Sequence, residues 1–418
     1  MKTNLLKEEK ITRREAFGNM FKIAAVVTVA PAIGSLAGCN IFSSKKASAI
    51  SSGYLPIIDS TPIIVAYEKG FFKEFGLEPS KPTLIRTWPA IIEAFTAKQI
   101  TLAHIILPQV IFLKYKQNIN LRSIAFNHTD VIGMIVSKDI KDLKELGGKM
   151  MAVPLWWSAH NGLLQDVLRN LGLTPVVGRK KEDLKSNEVG LTLLPPPDMV
   201  EGLKSGLIVG YSISEPFASA GEVLADGRLI KMSGDIWANN PCCQSVLLQE
   251  TIDKDRPYAQ AVANAVHKAA LWCHDNMEEL ADILCKEGGG YFPMPRKVVQ
   301  RALLKHDLVS YGPNGTGAIM HTEWDVKRSD FNPFPYPSAI DVTVDLMRRT
   351  VVDPSVSLPD MFNALTGKQV ADDIVEYDLA KKAFMEIEGP SKFNMDENRP
   401  FDRDEKYEVL LKNKSLES

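Results

Sequence analysis

Apolar and polar positions fall in alternating blocks along most of this chain. Residues 53–58 form a short apolar run that ends at the polar triplet Asp59-Ser60-Thr61. Pro62 then opens a helix whose apolar face carries Ile63, Ile64, Ala66, Tyr67 and Phe71, and Gly76 closes it. Ser60 or Thr61 suits the N-cap, and proline is favoured in a first helical turn. The same rhythm continues: a strand over 81–86, a helix over 90–98, a buried strand at 103–107, and a helix opened by Pro108-Gln109. A strand over 121–127 follows, then Asn127-His128, an apolar run at 133–137 and a polar helix at 138–146. Strands and helices alternating at this spacing predict a parallel α/β sheet.

A second unit starts near residue 147. A strand ends at Val153 and is followed by the loop Leu155-Trp156-Trp157-Ser158-Ala159-His160 and an amphipathic helix carrying Leu163, Leu164, Val167, Leu168 and Leu171. Strands at 189–194 and 207–212 follow, the second closed by Ser214-Glu215-Pro216-Phe217. The run at 246–248 should return the chain to the first unit. Beyond Gln249 the pattern is helical, over 256–285, 296–308, 339–350, 358–365 and 376–388, and the charged stretch 394–418 is expected to fray. The expected division is an export signal over 1–39, a tether over 40–52, lobe 1 over 53–146 and 246–390, lobe 2 over 147–245, and a charged tail over 391–418.

The N-terminus sets the compartment. Thr12-Arg13-Arg14-Glu15-Ala16-Phe17 is a twin-arginine pattern, and an apolar run leads to Leu36-Ala37-Gly38-Cys39. That combination resembles an export signal ending in a lipoprotein box, with Cys39 as the lipidated residue. The run is too short for a stable span, and no second long apolar run follows it. The expected location is therefore the outer face of the cell membrane, held by lipid. With 49 basic and 51 acidic residues the chain has no basic footprint for nucleic acid. The other cysteines, Cys242, Cys243, Cys273 and Cys285, lack zinc-like spacing and any C-x-x-C. No metal and no cofactor is expected, since no two histidines stand four apart on a helix.

In open α/β sheets, ligands sit beyond the strand C-termini. Asp59-Ser60-Thr61, Trp88, Pro108-Gln109 and Asn127-His128 all fall at such ends. The residues GYLPIIDSTPIIVAYEKGFFKEFGLEP, the lobe entry KDLKELGGK, GYSISEPF and DIWANNPCC together resemble a periplasmic-type substrate-binding protein of an ABC importer, of the nitrate, bicarbonate, taurine and alkanesulfonate group. The resemblance implies a two-lobed type II periplasmic binding fold that clamps one small solute, acts as a monomer, delivers to a membrane permease and has no enzymatic activity. It implies ligand contacts from Asp59, Ser60, Thr61, Trp88 and Gln109 in the first lobe. The second lobe would add Trp156, Ser158, His160 and Glu215. Only one of Trp156 and Trp157 can face the cleft in an extended segment. Glu215 has two other readings, capping a helix or holding a crossover in place, and His160 has one as a helix-start residue bonded to backbone. No lysine or arginine lies in these loops except Arg86, so a sulfonate or a neutral pyrimidine competes with a small oxyanion as ligand. A lipid-anchored sensor is the alternative to an import component, and an enzyme of the thiamine-pyrimidine branch, faintly echoed in Cys242-Cys243, is disfavoured by the lipobox.

Overall fold

The computed structural model describes residues 48–304, 307–396 and 398–412, so the export signal, the Cys39 lipobox and most of the tether lie outside the described residues. The strands are β1 (Ser48–Ile50), β2 (Gly53–Tyr54), β3 (Leu77–Pro79), β4 (Thr83–Leu84), β5 (Ala103–Ile106), β6 (Leu121–Phe126), β7 (Ile132–Ser137), β8 (Lys149–Val153), β9 (Thr174–Val177), β10 (Glu188–Leu193), β11 (Gly210–Ser214), β12 (Gly227–Met232) and β13 (Cys243–Leu248). They build two main sheets. One has three strands in the order β5-β13-β6, and the other has six in the order β12-β7-β11-β8-β10-β9. Two small parallel pairs, β1 with β3 and β2 with β4, extend the first side.

The sheets are mixed, which corrects the expectation of parallel strands throughout. β8, β9, β10 and the start of β11 run parallel, but β7 is antiparallel to both β11 and β12, and β13 is antiparallel to β5 and β6. Antiparallel strands appear where the chain passes between the sheets. β7 carries the outgoing chain and β13 the returning one. β7 belongs to the six-stranded sheet, although the expected division puts its residues in lobe 1. Its apolar run is buried on both faces, so hydrophobic pattern alone does not say which sheet it joins.

Local chemistry explains the helices that frame the strand ends. α1 (Thr61–Glu68) has Pro62 in its first turn, and its N-cap Ser60 makes no side-chain cap. The Ser60 hydroxyl instead donates back to the Leu55 and Ile57 carbonyls, which tightens the 3-10 turn Ile58–Ser60. The apolar run expected as one helix breaks at Gly70, whose φ of 73° suits glycine, and resumes as α2 (Phe71–Glu74). α3 (Trp88–Thr96) starts two residues earlier than its periodicity suggests, because Thr87 caps the Ala90 N–H. α4 (Leu107–Tyr115) follows β5 directly, and α5 (Ala159–Asn170) is capped by Ser158. No described helix is long and apolar enough to cross a membrane.

The tail does not fray over its described part. Trp237 pairs with Tyr407 across an isolated bridge, the Trp237 Nε1 donates to Glu405 at 2.6 Å, and the Tyr407 hydroxyl donates to Asp166 at 2.6 Å. Charge hid this docking in the sequence, since the few apolar residues that anchor the segment are widely spaced.

The helix Arg256–Asp275 lies against β6 and buries His267 completely, with Nε2 donating to the Ile124 carbonyl at 3.0 Å. Burial pushes the His267 pKa down to about 4, only partly offset by that carbonyl. The unfolded chain therefore takes up a proton below about pH 6.5 that the folded chain refuses, and stability falls as pH drops from about 6.5 through about 4. Each tenfold change in a protonation equilibrium is worth about 1.4 kcal/mol, so the loss is on the order of 3 kcal/mol. We expect His267→Gln to flatten that part of the stability profile measured by urea denaturation between pH 7 and pH 4; an unchanged slope would remove His267 as its source.

Candidate functional site

The turn between β2 and α1 brings a fully buried carboxylate, Asp59, to the ends of both main sheets. Asp59 Oδ1 lies 3.0 Å from His128 Nε2, 3.2 Å from the Ser214 hydroxyl and 3.4 Å from Cys242 Sγ. These partners come from different places: His128 follows β6, Cys242 precedes β13, and Ser214 ends β11 in the six-stranded sheet. The Asn127 amide donates to the Asp59 carbonyl at 2.7 Å and is itself held by Ser245 at 2.8 Å. The backbone joins the sheets as well, since Ile58 N–H donates to the Glu215 carbonyl at 2.9 Å.

Three more side chains complete the cluster. His160, in the first turn of α5, lies 2.8 Å from Ser214 through Nε2. His104, on β5, accepts the Leu55 N–H at 2.9 Å through Nε2, which places its proton on Nδ1. The Trp88 ring meets His104 edge-on at 5.5 Å between centroids. Asp59, His104, His128, His160, Ser214, Cys242, Cys243 and Trp88 are all nearly or wholly inaccessible.

Burial opposes charge on Asp59, but the His128 charge and hydrogen bond outweigh it and hold the carboxyl well below the usual range. Burial likewise opposes protonation of His128, and Asp59 reverses that, raising its pKa. Burial wins at His104 and His160, each pushed down to about 4, so both are neutral near pH 7. The cluster thus carries one ion pair and little net charge. Among the described residues no lysine or arginine hydrogen-bonds to any of its members, and Arg86 is exposed.

Several buried polar atoms here have no hydrogen-bond partner among the described residues: Trp88 Nε1, His104 Nδ1, His160 Nδ1, Thr61 Oγ1 and Asp59 Oδ2. Unmatched buried polar groups, donors and acceptors alike, cost about 1–3 kcal/mol each, which makes this cluster a candidate for meeting a ligand.

The expected site residues separate clearly. Asp59, Thr61, Trp88 and His160 come together, and Gln109 is buried at the start of α4. Ser60 and Ser158 spend their hydroxyls on local backbone, Ser158 accepting from Asn161 N–H and donating to the Leu155 carbonyl. Trp157 packs inward and donates to the Val356 carbonyl at 2.7 Å, while Trp156 is half-buried and holds Asn161 through its carbonyl. The Glu215 side chain points away from the cluster, to a buried arginine and to the first turn of the helix Phe217–Leu224. Its carboxylate accepts from Arg328 at 2.5 Å and from the Ser219 N–H at 2.8 Å, and Arg328 also grips Glu222 at 2.6 Å. Ser214, His104, Cys242 and Cys243 join the cluster without standing in the expected set. His128 stands at a strand end in the sequence, where nothing local gives it a role.

The chain belongs to the NMT1-like family, whose pattern matches residues 43–286. It is 24% identical over 273 residues to the nitrate/nitrite binding protein NrtA of Nostoc sp. PCC 7120, a match spanning 60% of this chain and 60% of that protein's length. Its fold matches the periplasmic nitrate-binding protein NrtA from Synechocystis PCC 6803 with a TM-score of 0.68 at 19% identity, covering 83% of this chain and 90% of that one. It also matches a ligand-binding component of an ABC-type import system from Staphylococcus aureus, solved with zinc bound, with a TM-score of 0.60 at 21% identity, covering 80% and 99%. The fold is that of the periplasmic binding proteins, mixed α/β with two main sheets.

Arg328 and Glu215 are both buried, so removing one partner strands the other's charge, at about 3–5 kcal/mol. Arg328→Met should lower unfolding stability by that amount in urea, and adding Glu215→Gln should recover part of it. A stable Arg328→Met variant would return Glu215 to the set of free cleft residues.

Proposed function

We propose that this protein is the extracytoplasmic solute-binding component of an ABC importer and that it clamps a small oxyanion or sulfonate-like solute between its two sheets. One observation carries the reading: buried, unpaired donors on the side of the three-stranded sheet meet, at the strand ends, a carboxylate shared with Ser214 of the six-stranded sheet and, through it, with His160. The names of the nitrate-binding relatives support the solute class, and relatives named as import ATP-binding proteins support a membrane permease and ATPase as partners. The twin-arginine and lipobox pattern supports export and a lipid anchor at Cys39, and the protein is proposed to act as a monomer without catalysis.

The site suits an anion without a lysine or arginine. Trp88 Nε1, His104 Nδ1 and Thr61 Oγ1 offer donors, and α1, α3 and α5 each begin beside the cluster with N–H groups free of helix partners. The Asp59 charge, which would repel an anion, is matched by His128. Solute contacting both sheets favours the closed arrangement through contacts the open one lacks.

A thermal-shift series with nitrate, bicarbonate, taurine and alkanesulfonates tests the class, because a ligand bound only to the folded state must raise the melting temperature. At least one should do so; silence from all of them removes the anion reading. Trp88→Phe keeps an aromatic ring, though a smaller one, and removes the Nε1 donor. It should weaken the responding anion about tenfold while costing roughly 1 kcal/mol or less in stability. Unchanged affinity would take Trp88 out of the site.

A further inference from the structure

We propose that Asp59, His128, Cys242 and Cys243 form a binding site for a thiophilic divalent metal ion of the zinc class, at the end of the three-stranded sheet. All four residues are fully buried, and one ligand atom from each lies within 4.8 Å of the others. In a tetrahedral zinc site with bonds of about 2.0–2.3 Å, neighbouring nitrogen and oxygen ligands stand about 3.3 Å apart and oxygen and sulfur about 3.5 Å. Here Asp59 Oδ1 and His128 Nε2 are 3.0 Å apart, and Asp59 Oδ1 and Cys242 Sγ are 3.4 Å apart. The donors already sit near the edges of such a tetrahedron.

The hydrogen bonds alone do not satisfy this arrangement. His128 Nε2 faces Asp59 Oδ1 as a donor must, yet it also faces the Cys243 N–H at 3.2 Å as an acceptor must. One ring nitrogen holds either a proton or a lone pair, so one of these contacts fails. Asp59 is equally lopsided: Oδ1 collects three partners, while Oδ2 has none among the described residues. An ion bound to the Nε2 lone pair and a carboxylate oxygen would take the place of both competing contacts, the one from Asp59 and the one from the Cys243 N–H, and it would ionise the thiols it binds.

Adjacent cysteines reach one ion because the backbone is irregular there. Cys242 precedes β13 and Cys243 begins it, so the strict alternation of a strand does not separate the two sulfurs. Ser214 and His160, from the other sheet, close over the same carboxylate, so access to the ion requires the sheets to part. The site stands on these four residues whether or not an anion binds beside it.

The test uses the full chain, reduced and chelator-treated, with Co²⁺ and then Zn²⁺ supplied both to folded protein and during refolding. We expect one equivalent of cobalt to give a thiolate-to-cobalt charge-transfer band with strong visible bands of a tetrahedral site, and one equivalent of zinc to displace it. The double variant Cys242→Ser/Cys243→Ser leaves Cys273 and Cys285 in place. It should lose the charge-transfer band and bind zinc about 100-fold more weakly or worse. If it does not fold, His128→Gln, which keeps both thiols, should weaken zinc by a similar factor. Absence of the thiolate band in the unmodified protein under both procedures overturns the proposal, and so does zinc affinity unchanged in a folded variant. A failed anion series on the chelator-treated protein would sink only the anion reading and leave the cobalt result standing.

Discussion

A carboxylate taken wholly out of water must be matched or neutralised, and Asp59 is the point where this fold meets that demand. Its charge is answered by His128 at 3.0 Å, and its Oδ1 draws in Ser214 and Cys242. No one element supplies these partners. The β2–α1 turn brings the carboxylate, the ends of β6 and β11 bring a histidine and a hydroxyl, and the approach to β13 brings a thiol. The two sheets therefore share one buried electrostatic requirement, in addition to apolar packing. Separating them would leave part of that requirement unmet.

The neighbouring pair Ser214 and Glu215 shows how the second sheet is held to this task. Ser214 reaches Asp59, while Glu215 turns to Arg328, which also binds Glu222. The Glu215 carbonyl takes the Ile58 N–H, one residue before Asp59. Buried ion pairs add little net stability over an apolar alternative, but they penalise misplacement heavily. The Arg328 network fixes the end of β11 in place, and the serine is thereby carried to Asp59. The Glu215 side chain holds the end of β11 and does not join the cluster.

Much of the architecture was legible because strand ends, prolines and caps leave local marks. Pro62, Pro108 and Ser158 all sit at helix starts as their chemistry dictates, and the return strand near residue 246 lies where expected. What the pattern could not show was partnership. The apolar run of β7 reads the same in either sheet. Trp156 and Trp157 differ only in which way the backbone turns, and the anchors of the tail are spaced too widely to form a period. The site followed the same division. Asp59, Trp88 and His160 stood at recognisable loop positions, whereas in the segment Ser214-Glu215-Pro216-Phe217 it was Glu215, not Ser214, that drew the expectation of a contact.

The cysteines carry that lesson furthest. Metal sites are readable in sequence when their ligands sit on one hairpin or one helix face, since a fixed spacing then reflects a fixed geometry. Here the four donors come from three segments separated by 69 and 114 residues, counted from the positions of Asp59, His128 and Cys242, and only folding makes them neighbours. In a regular strand, adjacent residues point to opposite faces, and that alternation would keep the Cys242 and Cys243 sulfurs apart. The irregular approach to β13 lifts the restriction. A cleft needs its strand ends to break from regularity so that side chains can converge, and the same irregularity places sulfur, nitrogen and oxygen around one point.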